Sequence, residues 1–383
     1  DDHNTMLTRI KYRIHLIYSR IIPGKNIKGK EIAMGKIRMW NKDNMKAIVF
    51  ISILSFAGMS LGANGDEDLL KEAKQIFSPL PQAMSSEKNV ITPEKVKLGK
   101  ILYYETRISV DGTVSCARCH PIGLYAADGL KKSIGNNCKV NPRNAPTLLN
   151  AAGQISAHWI GNRVDVEDQA RQSVIGPPSF GMSSYEAVET RLKELKGYLD
   201  LFKEAFPGEN NPVTVDNFAK AVGAFERTLV TSSPVDSFLK GDIAALKEQE
   251  KRGLKTFMEA GCGMCHFGTY VGGQMYQKFG VFEPYWKYTK SEPIDEGRYV
   301  ATKNEPDKYV FKSPVLRNVA KTAPYFHDGS IDKLEEAVLI MGKVQLGRDL
   351  TKVQVEEIVT FLKCLTGIIP EEALTIPLLP STE

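Results

Sequence analysis

Beyond residue 65, apolar residues recur at three- and four-residue spacing through most of the chain, the period of helices that bury one face. The pattern predicts helices over Glu67–Phe77, Glu94–Leu102, Glu186–Phe206, Asp216–Val230, Ala244–Ala260, Asp332–Met341 and Thr351–Leu365. Within 186–206, Val188, Leu192, Leu195, Leu199, Phe202 and Phe206 form one stripe with charged residues opposite, which predicts a single long helix packed on one side. That stripe is read as core and carries no functional weight. Period-2 alternation is lacking, so an all-α fold is expected. The connections are long and rich in Gly, Pro and Asn, notably Pro121–Leu148 and Phe267–Pro314. At Thr231-Ser-Ser-Pro234 the helical pattern breaks, which predicts a domain boundary there.

The 383-residue length suits two domains, and 42% hydrophobic with 25% charged residues excludes collagen-like, disordered and multi-span membrane chains. The formal charge of +5 is misleading, because residues 1–63 hold 11 Lys/Arg and 4 Asp/Glu, leaving 39 basic against 41 acidic residues behind them. The charge therefore gives no argument for a nucleic-acid partner. Met45-Lys46, the apolar run Ala47–Ala57 and the small-residue exit Leu61-Gly62-Ala63 read as a cleaved secretory signal over 45–63. The alternative, an uncleaved anchor, needs ~20 apolar residues, more than this segment offers. Residues 1–44, basic and patternless, read as a mis-assigned start or a tail. An exported chain meets conditions in which thiols are oxidised or ligated.

Four of the six cysteines occur in two copies of one pattern, Cys116-Ala-Arg-Cys119-His120 and Cys262-Gly-Met-Cys265-His266. Cys-x-x-Cys-His is the attachment sequence for c-type haem: two thiols at i and i+3 reach the two vinyl groups, and the next imidazole binds the iron from the same side. A four-cysteine zinc site is the rival, but it leaves unexplained why a histidine follows both pairs. Two covalent haems are expected, one in each of two cytochrome c-like units over 66–231 and 232–367, with 368–383 as a tail. Cys364, inside an apolar helical stretch, reads as a core thiol.

Several separate blocks share one order with a known family. They are Cys116–His120, Pro142-Arg-Asn-Ala-Pro-Thr147, the segment around Trp159, Gly261–His266, Gly272-Gly-Gln-Met-Tyr276, Leu316-Arg-Asn318, Ala323-Pro-Tyr-Phe-His-Asp-Gly329 and Ile340-Met-Gly342. In these the chain resembles the bacterial di-haem cytochrome c peroxidases, over about residues 66–367. The resemblance implies a peroxide-reducing N-terminal haem on His120 and a C-terminal electron-transfer haem with His266 and Met341 as axial ligands, Met275 being the runner-up. It implies Trp159 as an aromatic stepping stone between them. It also implies a calcium ion held by the Asn144 side chain and the Thr322 and Pro324 carbonyls, an all-oxygen set suited to a hard cation. The partners it implies are hydrogen peroxide, a small cytochrome c or cupredoxin as electron donor, a periplasmic setting and a homodimer.

Two positions depart from the family. Its distal histidine falls on Asn136, which leaves an open site, a water, or a ligand from Asn136 or Cys138. Its glutamate, which moves the proton during O–O cleavage, falls on Gly181 beside Met182, with Glu186 four residues from Met182 as a substitute. Loss of such a group costs ~10²–10⁴ in rate. Three functions are therefore weighed: peroxide reduction; oxidative maturation of a partner protein, against which Met341 stands because the related maturation enzyme has tyrosine there; and a non-catalytic electron carrier or sensor of small ligands such as nitric oxide.

Overall fold

The computed structural model describes residues 65–381, so the export signal read at 45–63 and the segment 1–44 lie outside the described residues. Nine helices of eight residues or more follow in order: α1 Gly65–Ile76, α2 Pro93–Tyr103, α3 Val166–Ser173, α4 Tyr185–Glu194, α5 Gly197–Ala205, α6 Val215–Glu226, α7 Glu248–Ala260, α8 Leu334–Leu346 and α9 Lys352–Cys364. Their starts are chemically marked. Thr92 caps α2 by accepting from Lys95 N, with Pro93 in the first turn, and Asp165 and Thr214 cap α3 and α6 in the same way. Thr351 and Gln354 form a reciprocal box at α9.

The fold is mostly helical, with one departure from the expected all-α class. Strands β1 Tyr276–Lys278 and β2 Val310–Lys312 pair antiparallel, with Tyr276 opposite Lys312 and Lys278 opposite Val310. Six residues of sheet at the two ends of a long loop are too short to show as alternation.

The long helix expected over 186–206 is two helices, α4 and α5, broken at Leu195–Lys196 just before Gly197. Glycine is a poor helix former, and the break shifts the register of the second half. Tyr198 thereby turns fully inward, while Leu199, assigned to the stripe, is 42% exposed. The short helix α3 was not anticipated at all.

Two larger cores result, separate from each other and from three smaller apolar clusters among the described residues. The first draws Leu98 and Leu102 from α2, Val188 and Leu192 from α4, Tyr198 and Phe202 from α5, and Phe218 and Val222 from α6. The second draws Leu254 and Phe257 from α7, Val338 from α8, and Ile358, Phe361 and Leu362 from α9. Helix α1, grouped above with the N-terminal half, packs in this second core: Leu69, Ala73 and Phe77 join it, and the rings of Phe77, Phe257 and Phe361 lie 5.1–6.3 Å apart.

Residues 368–381, read as a tail, are bound to the body of the fold. Ile368 N donates to Ser232 O, Arg107 reaches Pro380 O at 2.9 Å, and Ala373 is buried beside Tyr103, Ile122 and Phe225. Polar ties hold the segment between the cores. Thr231 is fully buried and bonded to Asn150 and Asn318, and Asn318 also accepts from Gly367 N.

Helices α2 and α6 cross so closely that a Cβ on Gly99 would lie 1.8 Å from Ala221 O, a backbone atom that cannot yield. Gly99→Ala should therefore destabilise the protein by about 3 kcal/mol or more. Gly123→Ala, where a Cβ meets nothing within 4 Å, should stay within about 0.5 kcal/mol of wild type. Chemical denaturation of the two variants side by side checks the pair of outcomes.

Candidate functional site

One cavity of about 540 Å³ is lined by both Cys-x-x-Cys-His turns. In each, a single tight turn sets the two thiols on one side and returns the chain, with His120 N bonded to Cys116 O and His266 N to Cys262 O, both at 3.0 Å. The turns are built differently before that point: Cys116–Cys119 follows an extended Ser115, whereas Cys262 follows α7 directly through Gly261. Burial raises all four thiols, Cys262 to about 12, so they stay protonated at neutral pH.

Both imidazoles are oriented by backbone carbonyls, His120 Nδ1 by Ala126 O and His266 Nδ1 by Pro314 O, each at 3.1 Å. A proton held on Nδ1 leaves Nε2 with its lone pair, the tautomer that binds a metal. Burial lowers both pKa values, that of His266 to about 4, so each ring is neutral at physiological pH. Gly272 makes the second arrangement possible. Its φ is +118°, and a Cβ there would lie 2.3 Å from Pro314 O and 3.1 Å from His266 Nδ1.

Helix α8 offers the cavity a single face, Leu334, Val338, Met341 and Gln345, with Met341 in the middle. Met275 lies outside the lining. Trp159 lines the cavity, its Nε1 donating to Asn144 O at 3.0 Å and its ring 6.3 Å from that of His327. Asn144 is buried, and its N donates to His327 O while its Nδ2 donates to Leu130 O. Asn144 is thus tied to the loop that carries Pro324, and Thr322 and Pro324 share the same cavity wall. His158 is held by Asn162 through its Nδ1 at 2.9 Å.

The three distal-pocket candidates are not on the cavity. Asn136 is fully buried, and its amide donates to Pro177 O at 2.6 Å and Ser179 O at 2.8 Å. Gly181, at φ +73°, packs against it, and a Cβ there would be 2.5 Å from Asn136 Nδ2. The amide occupies the space that a side chain at 181 would need. Cys138 is exposed and outside the lining, as is Glu186, which lies at the open start of α4. Instead Ser173, Pro177, Ser179 and Phe180 reach the cavity from this stretch. Ser179 and Phe180 reach the wall just before the glycine singled out in the sequence.

Three lining groups were not anticipated. Lys312 is buried and donates to Ser156 O at 2.8 Å and to Gln154 Oε1, with no carboxylate in ion-pair reach, and burial lowers it to about 7. Arg163 Nε is buried without a partner. Glu226 is a buried carboxyl on α6. For Glu226 a signal existed, since it follows Phe218 and Val222 at four-residue intervals on an otherwise apolar face. For Lys312, on a three-residue strand, none did.

A porphyrin fits these residues. The wall is largely apolar, two neutral imidazoles and two thiol pairs border it, and the buried Lys312 amine and the buried Nε of the half-buried Arg163, neither with an acid partner, suit the carboxylate edge of such a group.

Comparison with known proteins gives a consistent picture. The sequence profile of the di-haem cytochrome c peroxidases matches residues 93–244. The chain is 40% identical over 333 residues to cytochrome c551 peroxidase of Pseudomonas aeruginosa, covering 86% of this chain and 94% of that one. It is 34% identical to the methylamine utilization protein MauG of Methylorubrum extorquens, covering 76% and 83% respectively. Among solved structures, a MauG-like protein associated with microbial copper homeostasis superposes with a TM-score of 0.68 at 28% identity, over 78% of this chain and 97% of that one.

Gly272→Ala must either strain the backbone or push the Pro314 carbonyl off His266. We expect it to lower stability by about 1–3 kcal/mol, measured as the shift in thermal unfolding of the purified protein.

Proposed function

The chain belongs to the di-haem cytochrome c peroxidase family, a family of oxidoreductase enzymes, and on that premise we propose that it reduces hydrogen peroxide to water with electrons from a small cytochrome c or cupredoxin. The observation that carries the proposal is the single cavity bordered by two Cys-x-x-Cys-His turns whose histidines are neutral and carbonyl-oriented. Cys116 and Cys119 would hold one haem c and Cys262 and Cys265 the other, the first in the part of 66–231 that follows α1 and the second in 232–367 together with α1. When bound, the haem irons supply one-electron redox chemistry and the site at which peroxide is cleaved.

The remaining parts belong to the protein. His120 would ligate the iron of the first group, and His266 and Met341 that of the second, a thioether being a ligand that favours the ferrous state. Trp159, on the cavity wall, shortens the path between the halves. Asn144, Thr322 and Pro324 are the proposed calcium ligands, and their neutral oxygens imply weak to moderate affinity. The protein would act in the periplasm after removal of 45–63, as a homodimer.

Reduction of one peroxide consumes two electrons and two protons. On the stretch that supplies Ser179, the wall offers a hydroxyl where acid–base work calls for a carboxylate or imidazole, and this favours slow turnover over fast. The same observation supports the second reading, a di-haem electron carrier or small-ligand sensor. Maturation of a partner protein is the weaker alternative because of the methionine at 341.

The deciding experiment is steady-state oxidation of a reduced small cytochrome c or cupredoxin by peroxide, with and without calcium. Turnover supports the enzyme, and none supports the carrier. Two variants refine the outcome. Ser179→Glu, which places a carboxyl on the wall, should raise turnover roughly tenfold or more. Gly181→Glu, meeting Asn136, should give no gain and a lower unfolding temperature. Replacing Cys116 and Cys119 by alanine should reduce covalent haem, counted by pyridine haemochrome, from two groups per chain to one.

A further inference from the structure

Among the described residues, Glu226 is the one carboxyl side chain on the cavity wall. It is 1% exposed, and its Oε2 has no hydrogen-bond partner. A buried oxygen in that state is costly for a merely structural residue, and leucine or glutamine would serve packing better there. The charged and titratable groups that face it are Glu167 from α3, Arg227 next to it on the chain, Tyr103 from α2 and Cys116 from the first attachment turn. Arg227 does not neutralise it, because that guanidinium is committed to Glu167 through two bonds of 2.8 and 2.7 Å. Burial, with Glu167 adding repulsion, raises Glu226 to about 8. The result is a carboxyl that can change its charge close to neutral pH, beside the cysteine that anchors the first haem.

We propose that Glu226 is a redox-linked proton acceptor for the haem attached at Cys116 and Cys119. When one electron from the donor protein enters that haem, the positive charge at the iron falls by one. The Glu226 carboxylate then takes one proton from solvent, and it returns the proton when the electron leaves. The physical basis is Coulombic. In a poorly solvated cavity, a nearby cation stabilises the carboxylate, and removing one unit of that charge raises its pKa. The inference rests on the reading that two haems are bound, but it requires no peroxide turnover.

The test is potentiometric titration of the holoprotein as a function of pH, following each haem by its own spectrum. In wild type the potential of the N-terminal haem should fall as pH rises, by up to tenfold in the redox equilibrium per pH unit (about 59 mV for one electron). This slope spans the window between the oxidised- and reduced-state pKa values of Glu226. In Glu226→Gln, which cannot ionise, that slope should vanish, with a potential above wild type at high pH because no carboxylate remains to favour the ferric state. The C-terminal haem should be unchanged. Equal slopes in wild type and variant, or no slope in either, overturn the proposal. If Glu226→Gln does not fold, the reduced-minus-oxidised infrared spectrum of wild type decides instead. Between the oxidised- and reduced-state pKa values, a carboxylic C=O band that grows on reduction supports the proposal, and its absence refutes it. A holoprotein that shows the slope but turns over no peroxide would retain this inference while the peroxidase reading fell.

Discussion

The bidentate pair between Arg317 and Asp236 is the joint on which the rest of the structure depends. Its two bonds, 2.8 and 2.9 Å, are almost wholly shielded from solvent. Asp236 also accepts from Leu80 N and Ser233 N, and Arg317 Nε donates to Thr269 O. One ion pair therefore fixes the exit from α1, the linker after α6 and the loop that follows His266. Burial alone would raise the Asp236 carboxyl, but Arg317 together with the Leu80 and Ser233 N–H groups holds the pKa below its ordinary value. Such a pair adds little beyond what a well-packed apolar contact would give, yet losing one partner costs ~3–5 kcal/mol, so it fixes geometry more than it adds stability.

That geometry sets two modest cores against one cavity. Neither of these cores fills the space between the attachment turns, and the long loops that enclose it are held by smaller apolar clusters around Phe279, Tyr285 and Phe311 together with bonds to backbone carbonyls. The same carbonyls serve the chemistry. Ala126 and Pro314 orient the two histidines, and the chain Trp159–Asn144–His327 links the segments around the cavity through N–H to carbonyl bonds of 2.8–3.0 Å. Orientation by main-chain groups tolerates sequence change, because any residue supplies a carbonyl. Where a backbone must come close, only glycine serves, as at Gly272.

The distribution of acid groups is the distinctive feature of the cavity. Asn136 and Gly181 fill each other's space and form a packed unit outside the cavity lining. Ser179, the polar wall residue nearest to Gly181 in that stretch, offers a hydroxyl. Among the described residues the one carboxyl on the wall comes from α6, with its proton retained by burial. A cavity lined this way holds protons and charge by desolvation more than by salt bridges. Lys312, lowered to about 7 without any acid partner, follows the same rule.

What the sequence by itself determined is everything encoded within a few residues. A Cys-x-x-Cys-His pentapeptide fixes thiol spacing and the adjacent imidazole through one tight turn, so both attachment turns were legible, as were most helices from their 3.6-residue period. Tertiary structure alone decided which side chains face the cavity. Periodicity could not see that a two-residue break before Gly197 turns Tyr198 inward and Leu199 outward, nor that a short strand carries Lys312 into the interior. The family resemblance placed the missing acid at Gly181, whereas chain packing puts Ser179 on the wall. Glu226 was visible as an acid on an apolar face, but its role depended on Arg227 being committed to Glu167, sixty residues away in the chain. The physical reason is common to all of these. Attachment is local covalent geometry, while charge, protonation and wall identity follow from burial, which segments distant in sequence create together.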